Sequence, residues 1–121
     1  CDVLSPNALG AVLDEKSIAA LDCQIVAGGA NNQLARPEHG ALLDKRGILY
    51  APDYVINAGG IINVSIELLA GGYNEEAAMA KIENIYVNLK KVFEISREEG
   101  VPTNVAALRL AEQRLAQGNA G

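Results

Sequence analysis

Side-chain amides and hydroxyls gather at three places in this chain, each just after a short apolar run: Ser5 and Asn7, Asn31 and Asn32, Asp53 and Asn57. The third is the most telling. In Asn57-Ala58-Gly59-Gly60 an amide and two glycines stand directly ahead of the helical-looking Ile61-Ile62-Asn63-Val64-Ser65-Ile66-Glu67-Leu68-Leu69, and a glycine backbone at a helix start lets a ligand approach closely. Uncharged amides and hydroxyls orient a carboxamide, a ribose or an amino acid headgroup, but they are poor at moving protons. Binding is therefore the chemistry they suggest. One Asn-Gly loop is usually only a turn, whereas three polar exits on a common rim favour a ligand site. Asp53 could act as a base at a cleft edge, yet straight after Pro52 an Asx-type turn suits it at least as well, so it is read as structural. His39 is the single histidine, without a second His or a nearby Cys, so no metal site is expected and its role is read as structural or solvated. Tyr50, Tyr54, Tyr73 and Tyr86 read as packing, because no basic residues are interleaved with them.

A shared rim requires strands that end on the same side. Three short runs qualify: Cys1 to Leu4, Cys23 to Ala27 and Ile48 to Tyr50, the last closed by Ala51-Pro52, as expected of strands buried in a parallel sheet. Between them, Asp14 can cap a short helix through Leu21, and a second helix has Pro37 in its first turn and Gly47 at its end, with Gly40 weakening its middle. The third strand leads to the helix of Ile61 to Leu69, stopped by Gly71-Gly72. Strand and helix alternating in this way predict right-handed parallel crossovers, three of which make half of a doubly wound α/β sheet, with ligands at the carboxyl ends of the strands.

Residues 1–72 hold these units, and residues 73–121 read as carboxyl-terminal helices. Ala78, Ile82, Ile85, Tyr86, Leu89, Val92, Phe93 and Ser96 recur at helical steps on one face until Gly100 and Pro102. Thr103 is then the expected cap of a last helix through Leu115, and Gln117 to Gly121 should fray.

Half of the 121 residues are hydrophobic and only 4% aromatic, which predicts a single core of Ala, Val, Ile and Leu. The net charge of −5 and the absence of any basic run longer than Lys90-Lys91 argue against nucleic acid or an anionic membrane as partner. Cys1 and Cys23 match neither a disulfide framework nor a metal spacing, so they read as reduced thiols and the cytoplasm is expected. No apolar run has the length of a membrane span, and no signal peptide is visible. A start at Cys1, without Met and with a strand at the very terminus, leads to the expectation that the chain is a fragment.

Gly28-Gly29-Ala30-Asn31-Asn32-Gln33-Leu34 and Tyr50-Ala51-Pro52-Asp53-Tyr54-Val55-Ile56-Asn57-Ala58-Gly59-Gly60-Ile61-Ile62-Asn63 together resemble the leucine/valine/phenylalanine dehydrogenases. These belong to the amino acid dehydrogenase superfamily that includes glutamate dehydrogenase. The resemblance covers essentially the whole chain. Ser5-Pro6-Asn7-Ala8-Leu9-Gly10 is similar to that family's Ser-Pro-Cys-Ala-Leu-Gly loop, with Asn7 where cysteine is common. The resemblance implies an NAD-dependent oxidation of an L-amino acid to its 2-oxo acid and ammonia. It also implies that this chain is the second half of a Rossmann-type NAD-binding domain, followed by closing helices, in an expected homo-oligomer. The family's catalytic lysine and aspartate and its Gly-x-Gly-x-x-Gly turn lie in parts that this sequence does not contain, so no catalytic residue is assigned here and the chain alone is expected to be inactive.

Carried over by position, Ala8, Ala30, Asn31 and Asn57 would face the cofactor and Asn32 would hold the substrate headgroup. Ile61 and Val64, one turn apart after Asn57, would face the substrate side chain. Where the glutamate branch has a serine, Val64 cannot solvate a distal carboxylate, which implies a branched-chain aliphatic, leucine-like substrate. The rival expectation is a stand-alone half-Rossmann module that associates through its exposed first strand without catalysis.

Overall fold

Three parallel strands of two residues each carry the architecture: β1 (Val3–Leu4), β2 (Ile25–Val26) and β3 (Leu49–Tyr50), in the order β1-β2-β3. In this computed structural model residues 1–68 and 72–118 are described. Val3 faces Ile25 and Ile25 faces Leu49, so the strands run level and end together, Leu4 beside Val26 beside Tyr50. The ladder is shorter than the apolar runs predict. At the far end Pro6, Gly28 and Pro52 turn the backbone out of the sheet, and at the near end the Ile48 amide is taken by the Leu43 carbonyl at 3.0 Å.

Helices α1 (Glu15–Ala20) and α2 (His39–Lys45) link the strands. Asp14 caps α1 as expected: its Oδ1 accepts from the Ser17 amide at 2.7 Å, and its own amide donates to Ser17 Oγ at 2.9 Å. The carboxyl end of α1 carries no basic residue of its own. Arg46 serves instead, its guanidinium donating to the carbonyls of Ile18 and Leu21. Leu13, Ile18, Val26, Leu43, Ile48 and Tyr50 form the main core, with Leu4, Leu21, Cys23, Leu34 and Leu42 packed around it. Each such side chain withdrawn from water is worth about 1.5–3 kcal/mol.

After β3 come a one-turn helix α3 (Asp53–Ile56), then α4 (Gly59–Glu67), α5 (Glu75–Glu99) and α6 (Thr103–Gly118). Leu69 and Gly71, part of the expected end of α4, lie outside the described residues. Asn74 caps α5 through the Ala77 amide at 2.9 Å, and Gly100, at φ +61, ends it. A second cluster of Val92, Ala106 and Ala107, joined by Val55, Phe93, Ile95, Val101 and Leu110, binds α5 and α6 to α3.

Four helical expectations are corrected. Tyr86 is 73% exposed and off the packed face of α5, and Tyr73 is also exposed, so neither tyrosine packs. Thr103 does not cap α6; its hydroxyl donates to the Tyr50 carbonyl at 2.7 Å, tying α6 to β3, while the first amides of α6 turn to Pro102 O. Gln117 and Gly118 are helical rather than frayed, and the remainder of that expectation, Asn119 to Gly121, lies outside the described residues. Gly40 is there for close approach rather than as a flaw: a Cβ on it would lie 2.0 Å from Asn104 Oδ1.

Candidate functional site

Because the strands end level, their exit loops meet on one side. Gly28 makes the first meeting possible. A Cβ there would fall 2.1 Å from Pro6 O, and the closeness lets the Ala30 amide donate to that carbonyl at 3.0 Å. Asn7 adds a clamp between the same loops, its Oδ1 accepting from the Gly29 amide at 2.8 Å while its Nδ2 donates to Ser5 O and Ser5 Oγ. From beneath, the buried Gln33 donates to the carbonyls of Gly28 and Ala30 at 2.7 and 3.0 Å.

The third exit is tied to the second at two points. Asn57 Nδ2 donates to Asn31 Oδ1 at 2.5 Å. Asp53 Oδ2 accepts from the Asn32 backbone amide at 2.8 Å, and its Oδ1 accepts from the Tyr50 hydroxyl at 2.6 Å. Burial, reinforced by the hydrogen bond to Asp53, pushes Tyr50 far above the ordinary tyrosine range, so it remains a donor. Tyr54 is raised by burial and by the nearby Asp53 charge, and its hydroxyl donates to Asn104 O at 3.0 Å.

The structure thus brings Ala30, Asn31, Asn32 and Asn57 onto one rim. Asn31 and Asn32 are exposed and Asn57 is half-buried. Ala30, 6% exposed, offers backbone rather than side-chain surface. Ala8 is exposed on the first loop, next to the Asn7 clamp. Ile61 and Val64 follow on α4, 74% and 54% exposed, and Leu68 continues their stripe at 82%. His39 is buried, its Nδ1 at 3.0 Å from Leu13 O, which is the structural role. Among the described residues no group of His, Cys, Asp or Glu is arranged to hold a metal, and no helix is long and apolar enough to cross a membrane.

The sequence model of the family described as Glutamate/Leucine/Phenylalanine/Valine dehydrogenase matches residues 1–120. The chain belongs to this family. Among its relatives, the leucine dehydrogenase of Thermoactinomyces intermedius is 55% identical over 115 residues, covering 95% of this chain and 31% of that protein. The solved L-tryptophan dehydrogenase of Nostoc punctiforme superimposes with a TM-score of 0.92 at 50% identity, over 99% of this chain and 36% of that one. A hetero-hexameric glutamate dehydrogenase from Thermus thermophilus, in a Leu-bound form, gives 0.75 at 26% identity, over 96% of this chain and 29% of that one. This family member spans about a third of the length of the curated relatives it matches.

Sequence reasoning missed Gln33, Tyr50 and Asn104 as builders of this rim. A glutamine inside a loop otherwise made of Gly, Ala and Asn is the only local signal of the first. Tyr50 acts only three residues away, its hydroxyl on Asp53, but its apolar strand setting reads as packing; Asn104 acts across 50 residues or more, its carbonyl accepting from Tyr54 and its Nδ2 reaching Pro37 O at 3.0 Å.

Proposed function

We propose that this chain is the second half of the Rossmann-type cofactor domain, residues 1–72, with the closing helices, residues 73–121, of an NAD-dependent L-amino acid dehydrogenase acting on leucine-like substrates in a homo-oligomeric enzyme. The observation that carries the reading is the Asn31–Asn57 pair. One hydrogen bond joins the two side chains, so Asn31 retains an amide donor and Asn57 an amide acceptor, the complement of a carboxamide's own acceptor and donor. A neutral, fixed donor set of this kind fits a nicotinamide carboxamide, and the open backbone at Gly59 and Gly60 leaves room beside it. When bound, that cofactor would supply a hydride acceptor for the substrate's α-carbon. What the chain's own residues do is hold and orient: Asn31 and Asn57 fix the ring's carboxamide, Ala8 and Ala30 line its side, and Asn32 meets the substrate headgroup.

Substrate choice rests on Ile61 and Val64. Their exposed apolar surface gains about 1.5–3 kcal/mol on burying an aliphatic side chain, whereas an unpaired carboxylate set against it costs several kcal/mol. The test is kinetic, in a full-length enzyme containing this chain, comparing kcat/KM for L-leucine, L-valine, L-phenylalanine, L-tryptophan and L-glutamate in the parent and in Val64→Ser. Aliphatic substrates should rank first in the parent, and Val64→Ser should lower their kcat/KM about 10-fold or more, the range a lost methyl contact spans. Glutamate ranking first in the parent would end the reading. For the chain by itself the expectation is no turnover and weak NAD binding, measured by titration calorimetry.

A further inference from the structure

Asn32 sits at φ +53, in the left-handed region that side chains other than glycine's seldom adopt. Its backbone is held from both sides: its amide donates to Asp53 Oδ2 at 2.8 Å, and its carbonyl accepts from the Ala11 amide at 2.6 Å. Its own side chain is exposed and makes no hydrogen bond among the described residues. A strained backbone pinned at both ends under a free amide is the arrangement expected of a group presented to a ligand. The pin comes from far away. Asp53 is 21 residues off in sequence and only 6% exposed, and its second carboxylate oxygen is taken by the Tyr50 hydroxyl at 2.6 Å, itself 2% exposed. Each oxygen thus accepts one hydrogen bond from the protein's own groups, which suits a fixed acceptor.

We infer that Asp53 is a positioning residue that locks Asn32 into its left-handed conformation, so that the Asn32 amide meets the carboxylate or ammonium headgroup of an amino acid. The inference rests on the reading of Asn32 given under Proposed function. Two ties join the same pair of loops, Asp53 to the Asn32 backbone and Asn57 to the Asn31 side chain, and they divide the labour. The second aligns two side chains, whereas the first sets a backbone angle and thereby the direction of one amide. Because Asp53 hangs on Tyr50 at the end of β3, the orientation of the headgroup group is referred to the sheet rather than to a loop.

The experiment uses full-length enzyme containing this chain, with Asp53→Ala, Asp53→Asn, Asn32→Ala and Asp53→Ala combined with Asn32→Ala. It reads the KM for the amino acid, kcat per folded enzyme, and hydrogen exchange at the Asn32 amide. Asp53→Ala should raise KM about 10-fold or more with a smaller change in kcat, and speed exchange at Asn32. An asparagine can still accept from the Asn32 amide while donating to the Tyr50 hydroxyl, so Asp53→Asn should restore KM to within about threefold of the parent. In the Asn32→Ala background, Asp53→Ala should add nothing further to KM. Faster exchange with an unchanged KM would overturn the inference, as would additive KM effects in the double variant. If Asn32→Ala alone leaves KM unchanged, the reading of Asn32 fails first. Unchanged exchange in Asp53→Ala refutes the lock itself, whatever the kinetics. Should Asp53→Ala not fold, Tyr50→Phe removes the hydroxyl's bond to Asp53 Oδ1 and the longer one it accepts from the Asp53 amide, and carries the test: a two- to fivefold rise in KM is expected, and no rise overturns the inference.

Discussion

Gly40 and Asn104 should change the sign of each other's mutational effect. Gly40 lies in α2, where alanine is favoured over glycine by about 0.8–1 kcal/mol. The space a methyl group would enter is already filled: an ideal Cβ at Gly40 would be 2.0 Å from Oδ1, 2.6 Å from Cγ and 3.0 Å from Nδ2 of Asn104. In the parent, Gly40→Ala must expel the whole amide and break its bond to Pro37 O. Displacing the Asn104 side chain, 5% exposed, from its packed place and stripping its amide of that bond costs about 1–3 kcal/mol, which outweighs the helix gain, and a net loss of about 1–2 kcal/mol is expected. Asn104→Ala loses the same bond but also removes a buried Oδ1 that has no partner among the described residues, so its cost falls at the lower end of that range. With the amide gone, the alanine methyl enters vacated space. Gly40→Ala should then stabilise by about 1 kcal/mol, giving a coupling of about 2–3 kcal/mol, the upper end for residues in contact. Urea unfolding of the four proteins, read as midpoint shifts at constant slope, measures the cycle. Effects that add to within about 0.5 kcal/mol, or Gly40→Ala destabilising equally in both backgrounds, would refute the packing argument.

Asp14 is held below its ordinary value of 3.8, chiefly by the Ser17 amide and then by the Ser17 hydroxyl. Its stabilisation of α1 is therefore complete above that value and lost as pH falls through the lowered one. Asp14→Asn keeps a capping oxygen and should flatten this acid limb in melts taken across pH. Tyr50 runs the other way: its folded value is raised, so its contribution is complete below the ordinary tyrosine value of 10.0 and is lost as pH climbs beyond it. Tyr50→Phe should lose about 1–2 kcal/mol near neutrality, from the vacated Asp53 oxygen, and lose less on going alkaline. Denaturant unfolding at neutral and alkaline pH checks both.

What the sequence revealed was what neighbours in the chain decide. Asp14 three residues before Ser17, Gly47 after α2, Gly100 after α5, and Pro52 at the end of β3 each act within a turn or two, and each does what its residue type predicts. Thr103 shows the limit. Its place just before a helical run is that of a cap, yet a strand carbonyl brought close by the fold took its hydroxyl instead. Tyr86 obeyed the helical period but sits at the margin of the packed stripe, where no neighbour covers it. At the candidate site the Asn residues were legible as polar exits. Their supports were not, because a carboxylate holding an amide 21 positions away leaves no mark in local spacing.

The bond from Thr103 to the Tyr50 carbonyl also gives the sheet a direction. A fourth strand laid beyond β3 would need that carbonyl as its acceptor, and α6 already covers it. On the opposite side Val3 is half-exposed, and among the described residues no strand pairs with the outer edge of β1. Recruitment of further β-structure, whether from the same polypeptide or another, is thus restricted to one flank. A hydroxyl on a helix works here as a stop that leaves the sheet extensible at a single border.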